Sequence, residues 1–250
     1  MRPKPTSSKR DIEDCKLISK VFRRSNGTIG VKSIAGVVKA HFNVVINHKR
    51  MARLMGELNL QSKIRKKRSN NLLAEYTVDT VVPNLLQRDF DALLPNMKWV
   101  ADLTEFNYFN TKFYGCAILD LFDRQVVGFG LSLNPDAYLV TDTLQAAVRS
   151  RDVDTLEGLV IHTDQGSVFR SREFRRHSQE LKFTQSMSRK ANCWDNPVIE
   201  SFFSHLKTEF PFHSSMDGLD QIEKDLHKYI AYYNNVRGQK RLQYLSPNMY

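Results

Sequence analysis

The sequence has few cysteines, and their arrangement excludes two common ways of stabilising a small domain. Its 250 residues include three cysteines, Cys15, Cys116 and Cys193, which are odd in number and far apart. That spacing fits a reducing compartment and argues against a disulfide framework. There is no CxxC pair, and none of the seven histidines lies beside a cysteine pair, so we expect no structural zinc.

The sequence also lacks a long hydrophobic run. No stretch approaches the roughly 20 apolar residues that a bilayer crossing requires, so we expect no membrane contact. The N-terminus is basic, but charged helix-like sequence follows it instead of an apolar segment, and it does not resemble a secretory signal. We therefore expect a cytoplasmic protein. The length allows one ordinary catalytic domain plus a small module, or a single large domain, and we expect two units.

Negative charge is scarce in the first part of the chain. Residues 1–70 contain 18 lysines and arginines but only 4 aspartates and glutamates, whereas residues 71–250 contain 19 and 23. A basic module suits a polyanion, because neutralising phosphates releases condensed counterions. An excess of carboxylates elsewhere suits cation binding. The alternative for the basic part is a tail that only aids solubility.

Three segments with helical periodicity lie between residues 12 and 60. The third begins at Asn47, a candidate N-cap, and continues with His48, Lys49 and Arg50. Two short helices joined by a turn, with such residues at the start of the second, are typical of a helix-turn-helix DNA reader. A plain three-helix bundle would show the same periodicity, but the charge favours DNA binding by these three side chains.

A basic run separates this module from the rest of the chain. It contains Lys66, Lys67 and Arg68, which we expect to lie along the DNA backbone, although a solvated hinge would have the same composition. Pro83 and Pro95 interrupt the segment that follows. We therefore expect four parts: a helix-turn-helix-like domain at residues 1–62, a basic linker at residues 63–97, a catalytic core at residues 98–212 and a helical extension at residues 213–250.

After residue 97 the pattern changes to strands. Three β-rich runs with short turns predict an antiparallel meander, and helix, strand, helix, short strand and a long helix follow. This order describes an α/β fold, a mixed sheet flanked by helices. The last helix is expected over about residues 196–209, with Asp195 as its N-cap and Pro197 in its first turn.

Three carboxylates occupy informative positions in this pattern. Asp102 lies inside the first strand, Asp164 follows an apolar strand, and Glu200 lies in the first turns of the last helix. Singly, each is as readily a turn or surface residue. If the helix packs over the strand ends, they form a cluster that repels itself without a divalent cation, and oxygen ligands are what Mg²⁺ or Mn²⁺ prefers. Asp120 and Asp123 are rival ligands, which we interpret as a strand-end and a turn residue.

The spacing of the last two carboxylates points to a known family. Thirty-five residues separate Asp164 from Glu200, the spacing of the D,D(35)E motif. The sequence around them resembles the second reading frame of DDE-type transposases of the insertion sequence three family, a likeness that extends over about residues 20–250. The segments that carry the resemblance are residues 99–104, 119–124, 162–167, 186–196, 200–209 and 232–247.

The resemblance implies a fold and an activity. The fold is an RNase H-like, retroviral-integrase-like core, preceded by a small all-α domain. The activity is that of a polynucleotidyl transferase, which cleaves DNA at insertion-sequence ends and joins it to a target with two Mg²⁺ or Mn²⁺ ions. Asp102, Asp164 and Glu200 become the catalytic and metal-binding triad, and Lys207 becomes a contact to DNA near the reacting end.

The same resemblance implies partners. These are DNA, as terminal repeats and as target, further copies of the chain in a homo-multimer on DNA, and the product of an upstream reading frame, all at a bacterial nucleoid. Ala101 and Ala191 stand where the family usually has a hydroxyl residue and a glycine, and neither is an expected ligand. A nuclease of the same fold and a catalytically silent DNA-binding regulator remain alternatives.

The loop before the last helix holds further candidates. Arg189 and Lys190 could contact phosphates, with simple solvation as the alternative. Trp194 could stack on an unpaired base or be buried against the core.

Overall fold

Three helices form a small bundle at the start of the chain. In the computed structural model, which describes residues 9–64, 81–108, 110–189, 193–215 and 218–250 (at 193, 219 and 220 the backbone alone), they are α1 (Lys9–Arg24), α2 (Val31–Phe42) and α3 (His48–Glu57). Their apolar sides meet in one buried cluster, because each helix repeats apolar residues at helical spacing. The cluster includes Ile18, Ile34, Val38, Met51 and Leu54.

Two asparagines build the turn between α2 and α3. Asn43 ends α2 with a φ of 53°, a left-handed conformation that asparagine tolerates. The side-chain oxygen of Asn47 accepts a hydrogen bond from the Lys49 N–H at 2.9 Å, which confirms the predicted N-cap of α3. The predicted two-helix unit with a short turn is therefore present.

A five-stranded mixed sheet is the centre of the remaining chain. The antiparallel meander is confirmed, and the two later strands pair in parallel beside its first strand, in the order β3-β2-β1-β4-β5. The strands are β1 (Lys98–Tyr108), β2 (Thr111–Asp120), β3 (Val126–Ser132), β4 (Val160–Thr163) and β5 (Thr184–Met187). The helices that accompany them are α4 (Ala137–Ser150), α5 (Arg172–Glu180), α6 (Pro197–Glu209) and α7 (Leu219–Asn235).

Helices cover both faces of the sheet. On one face, α4 and α5 pack against a cluster that includes Trp99 and Ala101 of β1. On the other face, α6 and α7 pack against a cluster that includes Val100 and Phe106. Successive strand residues point to opposite faces, so Asp102, two residues after Val100, points to the face that α6 covers.

The helix α7 packs against the sheet and forms part of its hydrophobic core. Its residues Ile222, Leu226 and Tyr229 are buried in the same cluster as Phe202 of α6. The periodicity of this segment predicts a helix but not the surface on which it packs. Among the helices of the described ranges, none combines the length and the apolar character needed to span a membrane.

The helical bundle rests on the C-terminal part of the chain. Asn26 Nδ2 donates a hydrogen bond to the Phe212 carbonyl at 3.1 Å. The ring of Tyr244 lies so close to Gly36 of α2 that an added β-carbon there would be 2.3 Å from it. A cavity of about 260 Å³ remains between α1, α2 and the end of α7.

Candidate active site

Strand register brings Asp102 and Asp164 together. β1 and β4 run parallel with Val100 opposite His162. Asp102 follows Val100 by two residues, and Asp164 follows His162 by two residues. Because parallel neighbours advance together along the sheet, the two carboxylates lie at the same level on adjacent chain segments.

A backbone amide orients each of these aspartates. The Leu103 N–H donates to Oδ1 of Asp102 at 2.8 Å. The Gly166 N–H donates to Oδ1 of Asp164 at 2.9 Å. A carboxylate that accepts one such hydrogen bond retains further lone pairs for a cation.

Glu200 is presented by α6. Ile199 and Leu206 are buried and hold the helix against the sheet, whereas Glu200 and Lys207 are exposed. Seven residues are about two helical turns, so Glu200 and Lys207 lie on one side of the helix. Lys207 Nζ lies 5.7 Å from the centre of the Phe106 ring, which places this side of α6 above β1.

The three carboxylates influence one another electrostatically. Burial, and then the negative charges of Asp164 and Glu200, raises the pKa of Asp102 to about 8. Burial also raises the pKa of Asp164 and of Glu200. It lowers the pKa of Lys207, against the attraction of Glu105 and Asp102. The ionised forms of these carboxylates are therefore disfavoured in the site by itself, and a bound cation would stabilise them.

The donor set fits a hard divalent cation chemically. All three side chains offer carboxylate oxygens, which Mg²⁺ and Mn²⁺ prefer. In the part of the chain that the structure describes, no group of three or more His, Cys, Asp or Glu side chains is already arranged to hold a metal ion.

The rival carboxylates have structural roles, as interpreted from the sequence. Asp120 ends β2, is fully buried, accepts from the Asn96 N–H at 2.8 Å and pairs with Arg151 at 3.0 Å. Asp123 lies in the following turn, accepts from the Gln125 N–H at 2.9 Å and pairs with the same arginine at 2.6 Å. The hydrogen bonds and ion pairs of both carboxylates therefore stabilise the structure around the β2–β3 turn.

The candidate DNA contacts of α3 differ from one another. His48 and Lys49 are exposed at the start of the helix. Arg50 pairs with Asp11 at 2.7 Å and with Asp14 at 2.8 Å, so it ties α3 to α1. The candidates Lys66, Lys67, Arg68 and Lys190 lie outside the described residues.

One prediction for the loop before α6 is wrong: the N-cap position of α6 is occupied by Asn196 and not by Asp195. Asp195 instead accepts hydrogen bonds from Nε and Nη2 of Arg189 at 2.8 and 2.9 Å, so Arg189 is paired and not simply solvated. Trp194 is 71% exposed, which excludes its burial against the core.

The sequence matches known domain families in three regions. Residues 9–68 match an HTH-like domain, and residues 92–193 and 200–250 match two integrase core domain families. Asp102 and Asp164 fall in the first integrase match, and Glu200 begins the second.

Three relatives illustrate the similarity to transposases. An uncharacterized transposase-like protein of Haemophilus influenzae is 37% identical, with 85% of this chain and 96% of the relative covered. The transposase for insertion sequence element IS904 of Lactococcus lactis is 32% identical, with 98% and 96% covered. Transposase InsF for insertion sequence IS3A of Escherichia coli is 31% identical, with 75% and 64% covered.

Solved integrase structures share the fold at low sequence identity. The catalytic core domain of HTLV-2 integrase, in complex with magnesium, matches with a TM-score of 0.50 at 18% identity and covers 63% of this chain and 97% of its own. A chain of the simian T-cell lymphotropic virus intasome matches with a TM-score of 0.56 at 17% identity and covers 86% and 73%. The integrase-like α/β fold is thereby confirmed. The chain belongs to the insertion sequence three family of transposases, DDE-type polynucleotidyl transferases in which an HTH-like domain precedes an integrase core.

Proposed function

We propose that Asp102, Asp164 and Glu200 are the catalytic and metal-binding residues of this transposase. The observation that supports the proposal most directly is the parallel register of β1 and β4, which pairs Val100 with His162 and so brings Asp102 and Asp164 to the same level of the sheet. Burial, and then the charges of both other carboxylates, also raises the pKa of Asp102. At Asp195, by contrast, arginine and amide donors surround the carboxylate and lower its pKa. Uncompensated acids in a partly open site are typical of a place where a cation binds.

Each residue of the proposed site has its own role. Asp102 and Asp164, each oriented by an amide, form its fixed part, and Glu200 completes it from α6. Two Mg²⁺ or Mn²⁺ ions bound there would activate a water molecule or a DNA 3′-hydroxyl and stabilise the leaving oxygen. Lys207 contributes a positive charge for the DNA backbone on the same side of α6, and its position over the Phe106 ring restricts its movement.

For the helical bundle, we propose that α3 contacts the element's DNA ends. His48, Lys49 and Arg50 form its first turn, where a positive charge such as that of Lys49 opposes the helix dipole. A bound polyanion favours such a placement of the exposed Lys49. His48 and Lys49 contact DNA directly in this proposal. Arg50, held by Asp11 and Asp14, mainly orients the helix.

The remaining DNA contacts are proposed on charge and sequence position alone. Lys66, Lys67, Arg68 and Lys190 lie outside the described residues, and their charge and their place in the sequence are the basis for proposing them as contacts to the DNA backbone. Arg189 can add a phosphate contact only while it keeps its pairing with Asp195, because that pairing satisfies a buried charge.

The proposed organisation follows the chain. A DNA-binding domain at residues 1–62 and a basic linker at residues 63–97 precede the catalytic core at residues 98–212, which the segment at residues 213–250 supports through α7. Transposition joins two DNA ends, so the chain acts as a homo-multimer on DNA, together with the product of an upstream reading frame. Its place is the bacterial cytoplasm, on the nucleoid.

Strand transfer separates this function from its alternatives. Purified protein, alone and fused to the product of the upstream frame, is incubated with labelled element ends, Mg²⁺ and a target plasmid. Label joined to the plasmid supports the proposal. Nicked ends without joined product would indicate a nuclease, and binding without cleavage in either form would indicate a DNA-binding regulator. Glu200→Gln serves as the inactive reference.

A further inference from the structure

One buried aspartate holds the segment that leads into α6. The side chain of Asp195 has no exposed area, and Arg189 donates to it from Nε, Nη2 and the backbone N–H at 2.8, 2.9 and 3.1 Å. Arg88 Nε and Asn84 Nδ2 donate to the same carboxylate at 3.1 and 3.2 Å. Donors from two distant segments therefore converge on one side chain, and the bonds from Arg189 contribute most to lowering its pKa.

A buried histidine holds the backbone of the same residue. His162 has no exposed area; its Nε2 lies 3.0 Å from the Asp195 carbonyl oxygen and its Nδ1 lies 2.8 Å from Ser186 Oγ. The carbonyl can only accept, so Nε2 of the neutral ring carries the proton and Nδ1 accepts from the Ser186 hydroxyl. The same hydroxyl oxygen accepts the Leu85 N–H at 2.9 Å. The hydrogen bonds thus define one orientation of the ring.

These contacts connect the strand that leads to Asp164 with the segment that leads to Glu200. His162 lies on β4, two residues before Asp164, and Asp195 lies five residues before Glu200. Only Asn196 separates Asp195 from α6, so a shift of Asp195 relative to β4 would move the start of the helix, and with it Glu200, relative to Asp164. Metal and catalytic groups must be held within about 0.5 Å of their working geometry by the residues that support them.

We propose that Asp195 is a positioning residue which, through Arg189 and His162, sets the separation of Glu200 and Asp164 and thereby the affinity of the site for its divalent cation. The inference rests on the proposed function, since it assigns the cation to these carboxylates. Asp195 itself contacts neither cation nor DNA. Loss of the outer partners of metal ligands weakens metal binding by about 10- to 100-fold, which is the scale of effect expected here.

Asp225 offers a matched control for loss of a buried charge. It is 2% exposed and accepts hydrogen bonds from Ser214, Gln221 and Lys228 at 2.9, 2.8 and 2.9 Å. Its partners also lower its pKa. They lie on α7 or in the segment before it, so Asp225→Asn removes a similar set of interactions without touching the start of α6.

The experiment measures the affinity of the purified chain for Mn²⁺ in the absence of DNA. Calorimetry and the shift in unfolding temperature both report the binding. The variants are Asp164→Asn, Asp195→Asn and Asp225→Asn. We expect Asp164→Asn to abolish specific binding and Asp195→Asn to weaken it at least about tenfold. Asp225→Asn should change it by no more than about twofold, at a comparable loss of thermal stability.

Arg189→Ala provides the same comparison if Asp195→Asn does not fold. The Arg189 side chain is 59% exposed, so its truncation opens no cavity, and Arg88 and Asn84 still donate to the Asp195 carboxylate. We expect it to weaken Mn²⁺ binding, and Arg189→Lys to retain more affinity because it keeps a charged donor. No DNA is present in the titration, so a lost phosphate contact cannot produce the difference.

The outcomes separate the two proposals. Equal Mn²⁺ affinity of Asp195→Asn and Asp225→Asn, or of Arg189→Ala and the wild type, overturns the positioning role and leaves the triad in place. Absence of Mn²⁺ binding in the wild type, or its persistence in Asp164→Asn, overturns the proposed triad itself.

Discussion

Gly166 and Asp164 are in close contact at the end of β4: the glycine N–H donates to Oδ1 at 2.9 Å, and a β-carbon at Gly166 would lie 2.8 Å from that oxygen. Space, and not backbone conformation, therefore requires a glycine at this position, since its φ lies outside the left-handed range. The position of the Asp164 carboxylate therefore depends on the absence of a side chain at Gly166.

Gly166→Ala is expected to damage activity more than stability. The added methyl group presses on a carboxylate, the movable end of a side chain, so the fold adjusts while the ligand shifts. We predict a fall in the single-turnover cleavage rate of about 10- to 100-fold with little change in unfolding temperature. Gly30→Ala is the control, because a β-carbon there meets nothing within 4 Å. An unimpaired Gly166→Ala would contradict the assignment of Asp164.

Lys49→Ala is expected to weaken DNA binding without selectivity for sequence. Loss of one phosphate contact should reduce the slope of log affinity against log salt by about one. Binding to labelled element ends is measured between low and moderate salt. Lys224→Ala removes an exposed lysine from α7 and should leave the slope unchanged. If both variants behave alike, α3 does not contact the DNA backbone through Lys49.

Arg237→Ala is expected to destabilise the core strongly. Arg237 donates to Glu209, the last residue of α6, from Nε and Nη2 at distances of 2.7–3.1 Å, and the carboxylate is almost fully buried. Removing the arginine leaves a buried charge unpaired, which costs about 3–5 kcal/mol. Lys182→Ala, which breaks the exposed pair with Glu157, should cost at most about 1 kcal/mol in the same denaturant titration. If both variants lose a similar amount of unfolding free energy, the buried pair of Arg237 and Glu209 is no more important for stability than the exposed pair.

Acid sensitivity is expected to depend on Asp225. Its hydrogen bonds, led by that from Lys228, lower its pKa in the folded chain, so its stabilising contribution is complete above the ordinary pKa and is lost as the pH falls below it. The free energy of unfolding of Asp225→Asn should lie below that of the wild type by a constant amount from about pH 7 to pH 5. The difference should shrink below about pH 4. A difference independent of pH would exclude this linkage.

Local signals predicted most of the elements and the proposed triad. The β-rich run of β1, the apolar run of β4 and the N-cap at Asn47 are properties of a few neighbouring residues, and each has the expected structural result. The carboxylates Asp102 and Asp164 occupy the strand positions that their surrounding segments indicate.

Long-range contacts account for what could not be predicted. Asp195 reads as an N-cap because it precedes Pro197, yet Arg88, more than one hundred residues earlier, and Arg189 use its carboxylate. His162 gives a weak signal, a polar residue in an apolar strand, but its partners at positions 186 and 195 depend on the parallel pairing of β4 and β5. The spacing of apolar residues along the sequence does not indicate which distant side chains will meet.

The most direct test of the account is DNA cleavage and joining by Asp164→Asn in Mg²⁺, with labelled element ends and a target plasmid. The asparagine can still accept the Gly166 N–H, so the turn should persist and the unfolding temperature should match the wild type. Asp154→Asn, at an exposed carboxylate before β4, is the control. We predict that Asp164→Asn loses both reactions while Asp154→Asn retains them. Cleavage and joining by a stably folded Asp164→Asn would contradict the proposed triad.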